Sequence, residues 1–337
     1  MTLRLSIFAA AAAAGALAAG AASASGFYKG KQITLAVSAG AGGGYGTVGQ
    51  IVARHFPRFI EGNPTMVPSY MPKAGGLAAA NYIYNVAPKD GTVMGLLRNA
   101  TAFGQAMGSP GIKYDVRKMG WVGVTGPIVN VLAIRKDSPV NTLEQMKKTP
   151  VVLGGTGKLG TLFTFPKALD AVLGYKSKIV LGYRGTRDVR GALDRNEVQG
   201  IVQPWPNWQR SHFYKDKLVN FVVQFGFKRE PGLPDTPTMI ELGRTDDEKK
   251  MLRLVSSAGV TGRNFGLPPG VPKARLMELR TAFNAMVKDP AYIEDMKKRK
   301  RMMDPLTGEQ QAALFEEVLS TPKPLVEKIQ KALGYKK

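Results

Sequence analysis

The chain has 337 residues, of which 44% are hydrophobic, with 39 glycines, two histidines and no cysteine. That length allows two domains with sizeable cores, while the missing cysteines exclude disulfides, thiolate metal sites and a lipid-bearing cysteine. A net charge of +22 draws anions toward the surface without choosing among them.

The opening MTLR and LSIFAAAAAAGALAAGAASA combine a basic start, an apolar stretch and small residues at Ala22 and Ala24, the pattern of a secretory leader cut after Ala24. A retained anchor fits less well: the stretch is mostly Ala and Gly, and no basic stop-transfer cluster follows. The remainder is expected in the periplasm, free of any lipid anchor.

Next come QITLAV, SAGAGGGYGT and VGQIVARHFPRFI. The first reads as a strand from its β-branched and apolar residues. In the last, Val48, Ile51, Val52, Phe56 and Phe59 fall at helical spacing, and Pro57 should kink or end the helix. Between them, Gly40, Gly42, Gly43, Gly44 and Gly46 would let bare amides converge at a helix N-terminus, a site suited to carboxylate or phosphate. A plain tight connection is the competing reading of the same run. Gly44, Gly46 and Gly49 also satisfy G-x-G-x-x-G, but only Ser69 and Tyr70 stand near the end of the second strand, where a dinucleotide site wants an acid. Gly157 and Lys158 are followed by Leu159, where a phosphate loop needs Ser or Thr.

TMVPSYM (strand), GGLAAANYIYNVAP (helix) and TVMGLL (strand) continue an alternation that predicts a parallel sheet with helices on both faces. RNATAFGQAM offers a further turn, Asn99 to Thr101, on the carboxyl edge where open α/β sheets bind ligands. VLAIRK then leaves the first sheet and the alternation restarts, through VVLGGTG, LGTLFTFPKALDAVLG, KIVLGY, TRDVRGAL, VQGIVQ, NWQRSHFY and VNFVVQF, with AGVTGRNFGL as a return strand. Two crossings imply a hinge that permits closure over a ligand. The C-terminal region is helical, with Pro272 at one start, Thr307 and Gln310 as a capping box, and Thr321–Pro322 opening the last helix. The basic run Lys297–Arg301 reads as a solvated helix face. Without interleaved aromatics, and in a secreted chain, it does not argue for nucleic acid.

Enzyme chemistry has little support. His55 reads as packing or surface and His212 as surface, there is no G-x-S-x-G turn, and no cluster has metal-ligand spacing. No cofactor is expected.

The segments AGAGGGYG with ARHF, PKAGGLAAANYIYNVAPKDGTVMGLL, GGTGKLGT, GYRGTRDVRGAL, GLPDTPTMIELG and LPPGVPKARLMELRTAFNAMVKDPAY resemble the solute receptors of tripartite tricarboxylate transporters, also called Bug receptors, in the family's order. The resemblance implies an α/β, two-lobed periplasmic binding fold of the second topological type, with two doubly wound sheets joined by a hinge. On that expectation residues 25–130 and 257–337 form lobe 1 and 131–256 lobe 2. It implies carboxylate contacts from Gly42, Gly43, Gly44 and Tyr45, and from the second-lobe turn of Gly155, Thr156, Gly157 and Lys158. The family's Tyr-Lys-Gly segment corresponds to Tyr183, Arg184 and Gly185. Gly46 and Gln203 stand where acids that receive an amino group are frequent, which weakens an amino-acid ligand. We expect Lys158 and Arg184 as second-lobe cations, with hydroxyls from Thr101 and Thr156 and a contribution from Asn99. Trp205 and Trp208 form either an aromatic wall or core packing. The expected role is that of a monomeric receptor passing a di- or aromatic carboxylate to the transporter's membrane subunits; the rival is a sensor feeding a membrane signalling partner.

Overall fold

The computed structural model describes residues 26–157, 160–301 and 303–335. The expected leader, 1–24, and Lys158 lie outside them. One sheet carries β1 (Gln32–Val37), β2 (Thr65–Tyr70), β3 (Val93–Leu97), β4 (Gly120–Val124), β10 (Asn264–Leu267) and β11 (Leu306–Thr307), in the order β11-β4-β10-β3-β1-β2. The other carries β5 (Asn130–Arg135), β6 (Val151–Gly154), β7 (Ser177–Val180), β8 (Gly200–Pro204) and β9 (Val219–Phe225), in the order β7-β6-β8-β5-β9. Each sheet is the core of a lobe, so the molecule is two-lobed.

Neither sheet is wholly parallel. β10 runs antiparallel to β3 and β4, and β5 runs antiparallel to β8 and β9. Both are the strands by which the chain arrives from the other lobe, so they enter from the edge at which the neighbouring strands end. That reversal places the start of β10 on the carboxyl edge of its sheet: Asn264 pairs with Leu97, the last residue of β3, and with Val124, the last of β4. β4 escaped the sequence reading because GWVGV is short and glycine-rich, and Gly123 there has a φ of 158°. The helix Asp246–Val260 was also missed, although Thr245 caps it by accepting from the Glu248 N–H.

The crossings touch. The Ile128 N–H donates to the Gly259 carbonyl at 3.0 Å, and a Cβ on Gly262 would stand 1.9 Å from the Gly126 carbonyl oxygen, a separation that only glycine allows. Helix Asp246–Val260 packs both on Thr161–Leu173 of the second lobe and on Thr101–Ala106 of the first, and the last helix, Lys323–Leu333, also lies on Thr161–Leu173. A continuous apolar cluster therefore includes Leu97 and Trp121 beside Leu153 and Phe165. Gly262→Ala should force the crossings apart and lower the unfolding free energy by about 1–3 kcal/mol, the usual cost of overpacking. Calorimetry of the purified variant checks this.

Candidate functional site

The glycine turn after β1 empties into the helix Gly44–His55 as expected, and Pro57 opens a short 3-10 turn at Phe56–Phe59 that ends it. Its glycines are needed for space and not for unusual torsion angles, since none of Gly40, Gly42, Gly43, Gly44 or Gly46 has a positive φ. Gly46 is the crowded one: a Cβ there would lie 2.2 Å from the Ala41 carbonyl oxygen, so no side chain fits there. Gly42 and Gly43 are exposed, and Gly43 at the N-cap supplies no side chain to the first amides. The positive end of the helix dipole is therefore uncovered.

The second lobe repeats this. Helices Thr161–Leu173 and Thr186–Asp194 follow β6 and β7 and begin at Gly160 and Gly185, again without a side-chain cap. Helices Leu143–Lys148, Asp246–Val260, Pro290–Lys298 and Gly308–Leu319 are instead capped by Thr142, Thr245, Asp289 and Thr307. Open helix ends are thus found at the carboxyl edges of both sheets.

Two arginines complete the first-lobe site, and the sequence reading assigned neither to it. Arg263 immediately precedes β10 and is only 7% exposed, yet its Nε and Nη1 have no partner and it forms no ion pair among the described residues. Burial pushes its guanidinium down from the usual range, opposed by the Tyr45 and Tyr292 hydroxyls. Arginine nonetheless keeps its proton, so this is a buried cation without a counter-ion. Arg301 stands above it. Helix Pro290–Lys298 lies against Gly44–His55, and Asp295 holds the register by accepting from Arg54 at 2.6 Å and pairing with His55 at 3.1 Å. The helix then ends in a Schellman turn: Arg301 N–H donates to the Met296 carbonyl and Lys300 N–H to that of Lys297, with Lys300 at φ 51°. That turn throws Arg301 back over the glycine turn. Its Nη1 would lie 3.4 Å from a Cβ on Gly44, and its Nη2 donates to Thr47 Oγ1 at 3.4 Å. Its Nε is buried and unpartnered, and burial followed by repulsion from Arg263, Arg210 and Arg299 lowers its affinity for its proton. The solvated-face reading therefore fails for Arg301.

The expected site residues divide. Tyr45 is buried, its hydroxyl donating to the Gly262 carbonyl at 2.8 Å and accepting from the Asn99 N–H at 2.9 Å. The Asn99 side chain donates to the Ala258 carbonyl, and the Thr101 hydroxyl donates to that of Arg98. Tyr45 and Asn99 tie the turn after β3 to the crossing segment, and Thr101 closes that turn on itself. Gly155 is buried at the end of β6, while Thr156, Gly157 and Gly185 are partly exposed. Arg184 is 92% exposed in its side chain and pairs with Asp188 at 2.9 Å. Gln203, at the end of β8, is fully buried with both amide atoms unpartnered. Trp205 and Trp208 are core: Trp205 packs edge-on against Tyr214 and Phe221, and Trp208 Nε1 donates to the Val131 carbonyl. Among the described residues no group of three or more His, Cys, Asp or Glu could hold a metal, and no helix is long and apolar enough to cross a membrane.

Two lobes with uncovered helix ends at their carboxyl edges define a two-lobed solute-binding protein. Residues 60–331 match the model of the tripartite tricarboxylate transporter family receptor, and the chain belongs to that family, whose members are receptors. Its fold is that of several solved proteins. A solute-binding protein of the same family from Polaromonas superposes with a TM-score of 0.72 at 18% identity, covering 89% of this chain and 99% of that one. MatC from Rhodopseudomonas palustris with bound malate gives 0.62 at 19%, covering 88% and 99%. An adipate-bound protein from R. palustris gives 0.65 at 18%, covering 90% and 97%. No curated protein matches the chain in sequence.

Replacing Arg263 by Met should stabilise the ligand-free protein by about 1–4 kcal/mol, as apolar replacement of buried ionic groups often does, while weakening anion binding. Denaturant titration with and without a carboxylate measures both.

Proposed function

We propose that the protein is an extracytoplasmic solute receptor that binds a small carboxylate, a dicarboxylate before an aromatic one, for uptake by a transporter of the tripartite tricarboxylate type. The observation that carries this reading is the buried, uncompensated guanidinium of Arg263 near Tyr45, which lies in the first turn of a helix with an uncapped N-terminus, with Arg301 over the same turn. A desolvated cation and open amides together make a carboxylate-binding site. The malate and adipate held by two proteins of the same fold agree with it. An aromatic ligand loses support because Trp205 and Trp208 are internal.

In this reading Gly42, Gly43 and Gly44 hold one carboxylate with Arg263 and Arg301. The second lobe adds Thr156, Gly157, Lys158, Gly185 and Gln203. Gln203 suits the role because a buried amide without partners costs about 1–3 kcal/mol unless something bonds to it. Tyr45, Asn99 and Thr101 position the turn, and Arg184 lies outside the contact set. Only a ligand that touches both lobes prefers the closed arrangement and can drive closure. The leader is removed on export, the mature receptor works as a periplasmic monomer, and the transporter's membrane subunits take the solute from it.

A thermal-shift screen of the mature protein against mono-, di- and tricarboxylates tests this. A ligand at about 100 times its Kd adds roughly 2.7 kcal/mol of stability. Gly44→Leu, which would displace Arg301, should leave the fold intact and remove that shift; a retained shift would place the ligand elsewhere.

A further inference from the structure

A cavity of about 430 Å³ opens between the lobes beside Arg301, lined by Pro206, Gln209 and Arg210 from the second lobe and by Lys297, Lys300 and Arg301 from the first. It holds four cations and no acid, and none of the four forms an ion pair among the described residues. Some surface cations elsewhere find carboxylates, as Lys298 does with Glu294 and Arg244 with Glu248, but no acid lines this cavity. Like charges from two lobes that face each other unneutralised oppose any motion that narrows the gap.

The backbone supplies a second observation. Lys300 sits at φ 51°, a left-handed conformation that costs a side-chain-bearing residue about 1–2 kcal/mol and that glycine adopts freely. Arg210 is placed by its own local bond, Nη2 donating to Asn207 Oδ1 at 2.6 Å.

We propose that this cavity is a second anion subsite, shared by both lobes, which takes the distal anionic group of the solute, and that the cations facing each other across it keep the lobes apart until that group arrives. It rests on the receptor reading above and adds to it: the solute must carry at least two separated negative groups, and Arg210 and Lys300 select for the second. A monoanion fills the glycine turn and leaves the mouth repulsive. A polyanion neutralises it, joining lobe to lobe.

The test is calorimetric titration of the mature protein and of its Arg210→Gln/Lys300→Gly variant with acetate, malate, adipate and citrate. The ratio of citrate to acetate affinity should fall about tenfold in the variant, the loss of one charge-assisted contact. Because Lys300→Gly relieves left-handed strain, that single variant should melt higher than the native protein while binding citrate less tightly, which a purely structural lysine would not do. Small-angle scattering at low salt should also find the ligand-free double variant more compact than the native protein. An unchanged affinity ratio in a native protein that binds carboxylates overturns this proposal alone. If no carboxylate binds the native protein, the receptor reading fails and this one with it.

Discussion

A guanidinium held away from water with no carboxylate beside it is the constraint to which the rest of the molecule answers. Transfer of such a charge from water is costly, and the fold sustains it only because of where Arg263 sits. It occupies the residue before β10, at the start of a strand that runs antiparallel to both its neighbours, β3 and β4. Gly262 just before it must pass within contact distance of Gly126, and Tyr45, Asn99, Thr261 and Asn264 fasten the surrounding turns by hydrogen bonds. The crossing between lobes is thus built first as packing, and the buried cation is its consequence.

The treatment of helix ends follows the same logic. Four helix starts are closed by threonine or aspartate, at Thr142, Thr245, Asp289 and Thr307, a contribution of roughly 1 kcal/mol each, and those at Pro272 and Pro322 by no side chain. Gly43, Gly160 and Gly185 forgo it. The arginines lie at the first of these ends, so the uncovered amides and the unpaired charges add to one positive field, directed at one place. The net charge of +22 raises anion encounter generally, and on the proposed reading this local field is what holds the anion.

How much of this could be read from the residues alone depends on range. Strands β1, β2 and β3, the glycine turn and the helix after it are local patterns of period and turn chemistry, and they were legible, as was the second alternation. Arg263 was not. AGVTGRNFGL reads as a return strand with no role for its arginine, and the groups beside the buried guanidinium come from other parts of the chain, Tyr45 and Tyr292. Arg301 was hidden differently: counted within a basic run it looks like a solvated face, and only a Schellman turn at a lysine redirects it. Tyr45 was expected to contact the ligand from the family resemblance, and Asn99 and Thr101 from their place on the sheet edge; their side chains bond to the protein itself. Gln203 was expected at the site from its place near the end of a strand, where it replaces a frequent acid, and its buried amide is without a partner.

Closure can be weighed against these contacts. Moving a two-state equilibrium from 1:99 to 99:1 takes a ligand that prefers one state by about 5.5 kcal/mol. Hydrogen bonds to charged groups contribute roughly 1.5–3 kcal/mol each, so two to four made only when the lobes meet are enough. On the proposed reading, contacts at the glycine turn, Arg263 and Arg301 belong to the first lobe and are equal in both states; they set affinity and leave closure unchanged. On the same reading the second-lobe groups, Gln203, the turn at Thr156 and Gly157, and Arg210 across the mouth, differ between states. A solute that closes such a receptor is one long enough, and charged enough, to be held from both sides at once.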